Sequence, residues 1–404
     1  FRREKTSWYC STTTKPMTIT IKFLMFIFLF NSNLGSRSFS GDSKNKRTPI
    51  NELNINTDSI KSRIEHINST TPFQIDYTPQ LEKSIIKYLE KKQATYLDLY
   101  GKSRYYFPIF EQALQKYNVP LELKYLPIVE SSLNPKAKSR AGATGLWQFM
   151  FNTAKSLGLK VNSYVDERMD PIKSSDAAAK YLSELYIQFK DWNLAIAAYN
   201  YGPTNIKRVI KASGYSNFWN LRGYLPTETA NYVPSFLSTL YLFEYASEHN
   251  IETEKIKHLQ LLTDTLLIKK KVSFSHISDE INIPLDSLKF LNPAYVHNII
   301  PLIKNKDHFL TLPQIYTENF IQKESIIYEQ AALDYDSREK PLPHLYELNS
   351  RTVYKVVSGD FLGKIANNYG VNISNIKKWN KLKNDRLNIG QRLILFPRKF
   401  PKKQ

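Results

Sequence analysis

The sequence has a single cysteine in 404 residues, Cys10, and that cysteine precedes the only long apolar run of the chain. Disulfides, cysteine-ligated metals and thiol nucleophiles all need cysteine in the folded domains. A lipid-modified cysteine would have to follow the apolar run of an export signal, not precede it. We therefore expect the mature protein to contain no disulfide, no thiol catalyst and no cysteine-borne lipid anchor.

Long apolar runs are equally scarce. The one present, residues 23–30, has eight residues, whereas a membrane-spanning helix needs about 20. Lys22 precedes it and small or polar residues follow it as far as residue 40, which is the pattern of a secretory signal peptide. We expect translation to start at Met17, with residues 1–40 forming an N-terminal extension and signal peptide. An uncleaved anchor is the alternative.

Acidic residues are outnumbered, 37 against 56 basic ones, and the net charge is +19. Residues 351–404 hold 13 Lys and Arg against Asp360 and Asp385, a net charge of +11. Such an excess favours nucleic acid, an anionic membrane surface or an acidic polymer such as peptidoglycan as the partner. Export argues against nucleic acid, so we expect none. Steeply salt-dependent DNA binding without affinity for the cell wall would reopen that alternative.

Apolar periodicity organises the rest of the chain. After a flexible linker at 41–75, apolar residues recur every three or four positions through 76–250, as at Leu81, Ile85 and Leu89, which predicts an all-helical domain. Residues 351–398 alternate between strand and helix patterns in the order βααβ. This module is too small to contain a deep pocket of its own.

A fainter copy of that module precedes it at 260–315. Apolar residues and Asn292 repeat the later pattern, which includes Asn380, at a constant offset of 88 positions. The glycine and the Ser-Gly-Asp entry of the later module are missing. We interpret the region as a degenerate, structural copy that does not bind sugar, followed by a linker at 316–350.

Glu130 is the candidate for chemistry. It ends a mostly apolar stretch, 121–129, just before a turn at Asn134-Pro135. Partial desolvation of a carboxyl group raises its pKa, as a glycosidase general acid requires near neutral pH. From spacing alone, a glutamate in an ordinary surface turn is the more common outcome.

Three further stretches change those odds. They combine glycines, hydroxyls, amides and aromatic rings, the groups that line sugar clefts. The stretches are 139–149, 197–203 and 228–233.

Taken in order, Glu-Ser, Gly-Leu-Trp-Gln, Ala-Tyr-Asn-Tyr-Gly and Glu-Thr-x-x-Tyr-Val resemble the catalytic domain of the soluble lytic transglycosylases, which is related to goose-type lysozyme. The resemblance implies that Glu130 is the catalytic acid and base and that Tyr232 lies close to it. Trp147 stands where many relatives have methionine. The substrate-binding residues that the resemblance implies are Ser139, Gly145, Trp147, Gln148, Tyr199, Asn200 and Tyr232.

The C-terminal module resembles a LysM repeat through Val-Ser-Gly-Asp at 357–360, Tyr-Gly-Val at 369–371 and Ile-Gly-Gln at 389–391. This likeness implies binding to glycans that contain N-acetylglucosamine, with Asp360 in the helix-capping place. The glycan-binding residues it implies are Gly359, Asp360, Phe361 and Asn380. With both domains, the chain resembles the membrane-bound lytic murein transglycosylase D family.

The resemblance implies a mainly α protein, with a lysozyme-like all-helical catalytic domain followed by small α+β LysM modules. It implies non-hydrolytic cleavage of the MurNAc-GlcNAc β-1,4 bond of peptidoglycan, which leaves 1,6-anhydro-MurNAc ends. Most glycosidases use two carboxyl groups, but residues 139–150 contain no acid, so one carboxylate would do both proton transfers.

We expect no metal or cofactor, peptidoglycan glycan strands as the partner, and a monomer. We also expect a location in the periplasm or cell envelope; peripheral association with the outer membrane is left open. A hydrolytic muramidase of the lysozyme type and a non-catalytic wall-binding protein remain as alternatives.

Overall fold

The computed structural model describes residues 57–91, 93–249, 262–339 and 342–399. The expected signal peptide and the first part of the linker after it lie outside the described residues. The described chain is mainly helical with three pairs of short strands, and the fold class predicted from the sequence is confirmed. Within the ranges described, no helix is both long and apolar enough to cross a membrane.

Residues 57–249 form an all-helical domain around one apolar core. Two of its longer helices begin at side-chain caps: the carboxylates of Asp170 and Asp191 accept backbone N–H groups from the first turns that follow them. The helices are α1 (Thr57–Thr70), α2 (Pro79–Lys91), α3 (Gln93–Lys116), α4 (Leu126–Ser131), α5 (Phe151–Ser156), α6 (Pro171–Phe189), α7 (Trp192–Tyr201), α8 (Pro203–Ser213), α9 (Phe218–Leu221) and α10 (Thr227–Glu244). Helix α10 packs against α2, α4 and α7, and so lies at the centre of the domain.

Helix α1 corrects the prediction of a flexible linker at 41–75. Ile60, Ile64 and Ile67 follow one another at spacings of four and three, share one helix face and are almost fully buried. That face belongs to the core of the helical domain. Because the residues around the three isoleucines are polar, the helical spacing is weak in the sequence. It becomes clear only when the isoleucines are seen packed in the core of the folded domain.

A middle domain follows at 262–339, with a core of its own. Two antiparallel strand pairs, β1 with β4 and β2 with β3, enclose two short helices, and a long helix covers them. The elements are β1 (Thr263–Leu267), β2 (Val272–Ser273), α11 (Phe274–Ile281), α12 (Leu285–Leu291), β3 (Ile299–Ile300), β4 (Phe309–Pro313) and α13 (Thr317–Ser337).

Helix α13 is a second correction, because the sequence predicts a linker at 316–350. Phe320, Ile327 and Ala331 are buried in the core of the middle domain and recur at helical spacing. Only the residues after this helix connect the middle domain with the C-terminal module.

The C-terminal module has the predicted βααβ order. Strand β5 (Thr352–Lys355) pairs antiparallel with β6 (Arg392–Leu395), and between them lie α14 (Leu362–Tyr369) and α15 (Ile373–Asn380). Helix α14 ends at Gly370, whose φ of 66° is the left-handed conformation that glycine adopts without strain.

In each of the two small domains, an asparagine side chain ties the second helix to the last strand. The Asn380 side chain donates to the carbonyl of Ile394 at 2.8 Å and accepts from its N–H at 2.6 Å, which ties α15 to β6. Asn292 does the same with Thr311 on β4, at 2.8 Å in both directions. Asn380 was predicted to bind glycan; its amide makes these bonds inside the module while the residue stays partly exposed, so glycan binding by Asn380 remains a prediction.

Candidate active site

Glu130 lies in the last turn of the short helix α4. A 3-10 helix, Leu121–Tyr125, leads into α4, and its first residues Leu126, Pro127 and Ile128 are buried. The helix stops because Ser132 adopts a left-handed φ of 52°. The chain thus turns away directly after Glu130, whose side chain is left partly exposed at the edge of the core.

The surroundings of Glu130 suit a proton-transfer group. Burial raises the pKa of Glu130 to about 7, and the negative charge of Glu228 adds to the rise. The hydroxyl of Tyr232 on α10 donates a hydrogen bond to Glu130 Oε1 and partly offsets that rise. A carboxyl group with a pKa near neutrality can both give and take a proton at physiological pH.

Two tyrosines, Tyr232 and Tyr199, lie near Glu130. Burial raises the pKa of Tyr232 well above its ordinary value, and the Glu130 charge raises it further, so its hydroxyl stays protonated as a donor. Burial and the Glu130 charge also raise the pKa of Tyr199. The Tyr199 hydroxyl donates to the Trp147 carbonyl at 2.7 Å, so it holds a neighbouring loop.

That loop, residues 137–149, is called the substrate loop below. Ser139 is exposed in a tight turn, where its N–H donates to the Ala143 carbonyl at 2.9 Å and its Oγ accepts from Ala143 at 3.0 Å. Gln148 has a left-handed φ of 48°, and its side-chain amide donates to the Gly145 carbonyl at 2.8 Å. Both residues therefore shape the loop and also retain exposed surface.

Gly145 and Trp147 do not fit the predicted substrate contact. A Cβ at Gly145 would lie 1.8 Å from the Arg168 carbonyl oxygen, and Gly145 itself is buried. The Trp147 side chain has no exposed surface; its Nε1 donates to Ser175 Oγ at 2.9 Å within the core. A buried ring cannot stack on a sugar, so the prediction for Trp147 is wrong, and Gly145 serves close backbone packing.

Asn200 lies on α7, one residue after Tyr199, and is partly exposed. Its Oδ1 accepts a hydrogen bond from Thr229 Oγ1 at 2.9 Å, which joins α7 to the first turn of α10. The carboxamide is thus held beside the helix that carries Tyr232. Of the residues predicted to bind substrate, Tyr232 makes the only direct bond to Glu130 among the described hydrogen bonds.

Three residues that the sequence reasoning did not select also build the site. Ser131 Oγ donates to the Leu146 carbonyl at 2.9 Å and so links the residue after Glu130 to the substrate loop. Arg168, almost fully buried, makes a two-pronged ion pair with Asp166 through Nε at 2.9 Å and Nη2 at 2.8 Å. The Asp-x-Arg spacing at 166–168 is the only signal of this pair in the sequence.

The predicted glycan site of the C-terminal module is only partly exposed. Partial burial alone would raise the pKa of Asp360, but hydrogen bonds from Tyr354 Oη at 2.6 Å and the Val357 N–H at 3.0 Å outweigh it and lower the pKa. The carboxylate also pairs with Lys364 Nζ on α14 at 3.3 Å, so its oxygens are used within the module. It does not cap α14, since Phe361 takes the N-cap position without a side-chain cap bond.

Phe361 and Gly359 differ from Asp360 and Asn380 in that they face solvent. The Phe361 residue is 61% exposed, and Gly359 is exposed with a φ of 80°. An exposed aromatic ring leaves its face accessible to a sugar. Of the four residues predicted to bind glycan, these two are exposed, whereas Asp360 and Asn380 are half-buried.

Comparison with known families matches each of the three domains. Residues 107–222 match the family described as "Transglycosylase SLT domain". Residues 262–329 match "Lytic transglycosylase MltD, LysM-like domain", and residues 354–396 match "LysM domain".

Among curated relatives, the chain is 31% identical over 315 residues to the membrane-bound lytic murein transglycosylase D of Escherichia coli strain K12, covering 76% of this chain and 67% of that protein. It is 38% identical over 100 residues to the peptidoglycan transglycosylase gp16 of Escherichia phage T7, covering 24% of this chain and 8% of that one. Among solved structures, the 70 kDa soluble lytic transglycosylase of Escherichia coli aligns with a TM-score of 0.31 at 25% identity, covering 37% of this chain and 26% of that one.

Proposed function

Because this chain belongs to the membrane-bound lytic murein transglycosylase D family, we propose that Glu130 is its single catalytic acid and base. The chain is a peptidoglycan lytic transglycosylase, as predicted. The assignment of the chemistry to Glu130 is supported by one observation above the others: a carboxyl group with a pKa of about 7 accepts a hydrogen bond from a protonated tyrosine. The adjoining substrate loop carries the exposed Ser139 and the partly exposed Gln148.

The proton moves twice in this mechanism. Protonated Glu130 gives its proton to the oxygen of the MurNAc-GlcNAc bond, and the C1–O bond breaks as the leaving sugar departs. The C6 hydroxyl of the same MurNAc ring then attacks C1, and the Glu130 carboxylate takes the hydroxyl proton. The product carries a 1,6-anhydro bond, no water is consumed, and Glu130 is protonated again.

The protein contributes position and electrostatics to these steps. General acid–base catalysis by a placed group contributes about 10²- to 10⁴-fold, and an attack within one ring needs no second molecule to be captured. Tyr232 holds Oε1 of Glu130 by a hydrogen bond, so the carboxyl group keeps one orientation through both transfers. Ser139, Gln148 and Asn200 are the partly or fully exposed polar residues from which sugar contacts are proposed.

A hydrolytic muramidase is the second candidate, and Glu228 is the observation behind it. Among the described carboxylates, the charge of Glu228 is the one that raises the pKa of Glu130. A second carboxylate near the acid could activate water. Glu228 is exposed in the first turn of α10.

Mass spectrometry of the soluble products separates these outcomes. Purified peptidoglycan is incubated with the wild type, Glu130→Gln and Glu228→Gln. We expect muropeptides one water lighter than hydrolysis products from the wild type and from Glu228→Gln, and none from Glu130→Gln. Reducing ends that vanish with Glu228→Gln would instead establish a hydrolase. Cleavage by Glu130→Gln above a few per cent of wild type would remove Glu130 from the mechanism.

We further propose that the C-terminal module attaches the enzyme to glycan strands through Phe361 and Gly359, and that the chain acts as a monomer in the periplasm or cell envelope. Peripheral association with a membrane is compatible with the basic C-terminal module. The glycan contact is tested with Phe361→Ala in sedimentation with purified peptidoglycan. Phe309→Ala is the matched control, an exposed phenylalanine on the middle domain. Loss of sedimentation is expected for the first variant alone; equal binding by both would move the glycan site elsewhere.

A further inference from the structure

One segment of the catalytic domain contacts the middle domain through its backbone. This segment, residues 161–168, lies between α5 and α6 and is called the junction segment below. The Asp166 N–H donates to the Ala294 carbonyl at 2.9 Å, and the Val296 N–H donates to the Tyr164 carbonyl at 2.9 Å. Val165 pairs with Tyr295 between these bonds and is buried in the core of the middle domain. The junction segment is therefore built into the middle domain.

The chain that leads into the LysM module, residues 343–346, is hydrogen-bonded to the same segment. The Ser163 N–H donates to the Tyr346 carbonyl at 3.0 Å, and its Oγ donates to the His344 carbonyl at 2.8 Å. The Tyr164 hydroxyl donates to the Pro343 carbonyl at 2.6 Å. Two parts of the chain distant in sequence thus fix the position of the junction segment.

The other end of the junction segment holds the substrate loop. Arg168 Nη1 donates to the carbonyls of Gly142 and Phe149, both at 3.1 Å, and so clamps the loop at two points. Its remaining donors are directed at the Asp166 carboxylate, and both side chains are over nine-tenths buried. An arginine fork on a carboxylate fixes orientation as well as charge.

We propose that Asp166 and Arg168 are positioning residues that couple the docked middle domain to the substrate loop. Asp166 is bonded to the middle domain through its N–H and to Arg168 through its carboxylate, and Arg168 is bonded to the loop. The loop in turn reaches the residue after Glu130 through the Ser131–Leu146 bond. The middle domain is in this arrangement a structural part of the active site. The proposal rests on the proposed function, because it takes Glu130 and the substrate loop as the working site.

The first test replaces Asp166 with asparagine in the full chain. This substitution keeps the size of the side chain but removes the charge that orients the buried guanidinium. Initial rates are measured on soluble, uncross-linked glycan strands and normalised to the folded fraction from circular dichroism. A loop displaced by about 1 Å can cost about 10²-fold in rate. Because the proposed sugar contacts lie on this loop, we expect KM to rise about tenfold or more. Asp176→Asn is the control; Asp176 binds Lys116 and Tyr117 on another face.

The second test weakens docking without touching the junction segment. Phe290 belongs to α12 of the middle domain, but its ring packs on Tyr105 of the catalytic domain, with ring centroids 5.0 Å apart. Phe290→Ala therefore loosens the docking while the core of the middle domain stays intact. We expect KM to rise in the same direction as for Asp166→Asn. The double variant should show less than the product of the two single effects, since both act through one connection.

The outcomes separate the two proposals. An unchanged KM in Asp166→Asn, with only the folded fraction or thermal midpoint reduced, would show a merely stabilising ion pair and overturn the coupling. A normal KM in Phe290→Ala, or effects that multiply fully in the double variant, would overturn the part assigned to the middle domain. Absence of anhydro products from the wild type would instead overturn the proposed function itself.

Discussion

Replacing Glu130 with glutamine should stabilise the protein, and by an amount that depends on pH. The sign follows from the raised pKa. Between its ordinary value of 4.5 and its folded value of about 7, the folded state binds more protons at Glu130 than the unfolded state does. The stability of the wild type therefore falls as pH rises through this window, and the loss is complete above pH 7. Glutamine has no proton to lose and keeps an oxygen for Tyr232.

The size of the effect follows from the same pKa. Each pKa unit corresponds to about 1.4 kcal/mol, so a rise from 4.5 to about 7 corresponds to about 3 kcal/mol of destabilisation in the wild type at high pH. For a domain of this size, 1 kcal/mol moves the thermal midpoint by roughly 2–4 °C. Glu130→Gln should thus melt near the wild-type temperature at pH 4 and roughly 6–12 °C above it at pH 8.

Differential scanning fluorimetry from pH 4 to 9 measures this difference. Glu228→Gln is the matched control, because it removes one carboxylate from the same site at an exposed position. Its thermal midpoint should follow that of the wild type closely at every pH. A difference between Glu130→Gln and wild type that is the same at pH 4 and pH 8 would refute the reasoning, since it would mean that Glu130 carries no raised pKa. A destabilised variant at pH 8 would do so even more directly.

Four further outcomes follow from the contacts. The rate kcat/KM of the wild type should fall as pH rises through about 7, because Glu130 then loses the proton it must donate; a flat profile would contradict this. Tyr232→Phe removes a bond that lowers the Glu130 pKa, so the alkaline limb of that profile should move to higher pH while the rate falls. Ser175→Ala leaves the buried Trp147 N–H without its acceptor and should cost about 1–3 kcal/mol in urea unfolding; a cost near zero would indicate a replacement partner. Asn380→Ala should destabilise the LysM module by about 2 kcal/mol or more and abolish wall binding, as seen in hydrogen exchange and sedimentation, whereas wall binding lost with unchanged exchange would mean that Asn380 contacts glycan directly.

Periodicity and motif order carried most of the prediction. The helical region, the βααβ module and the reaction class are confirmed, because amphipathic spacing and a dense LysM pattern are local properties of the sequence. The pairing of Glu130 with Tyr232 was implied only by the family resemblance, and the structure brings the two together by packing α10 against α4. The Glu130 pKa is raised in the direction that its apolar surroundings predict.

The parts that could not be predicted depend on which face of a segment meets a core. Helix α1 contributes only isolated isoleucines in a polar stretch, and the face that buries them exists only in the folded domain. Trp147 occurs in a motif rich in sugar-binding residue types, yet its ring points inward to Ser175. Asp360 and Asn380 make hydrogen bonds that hold the LysM module together, and a sequence pattern does not separate residues that build a site from residues that touch a ligand.

Gly145 has a consequence for protein engineering. Its backbone lies so close to the Arg168 carbonyl that even one methyl group would collide with it, while Arg168 clamps the loop on both sides of that point. The loop and the arginine that follows it about 20 residues later are therefore complementary in shape and in hydrogen bonding. A chimera that imports the loop of a relative to change substrate preference would need to import the partner segment as well. A chimera that exchanges both segments together should keep their contacts.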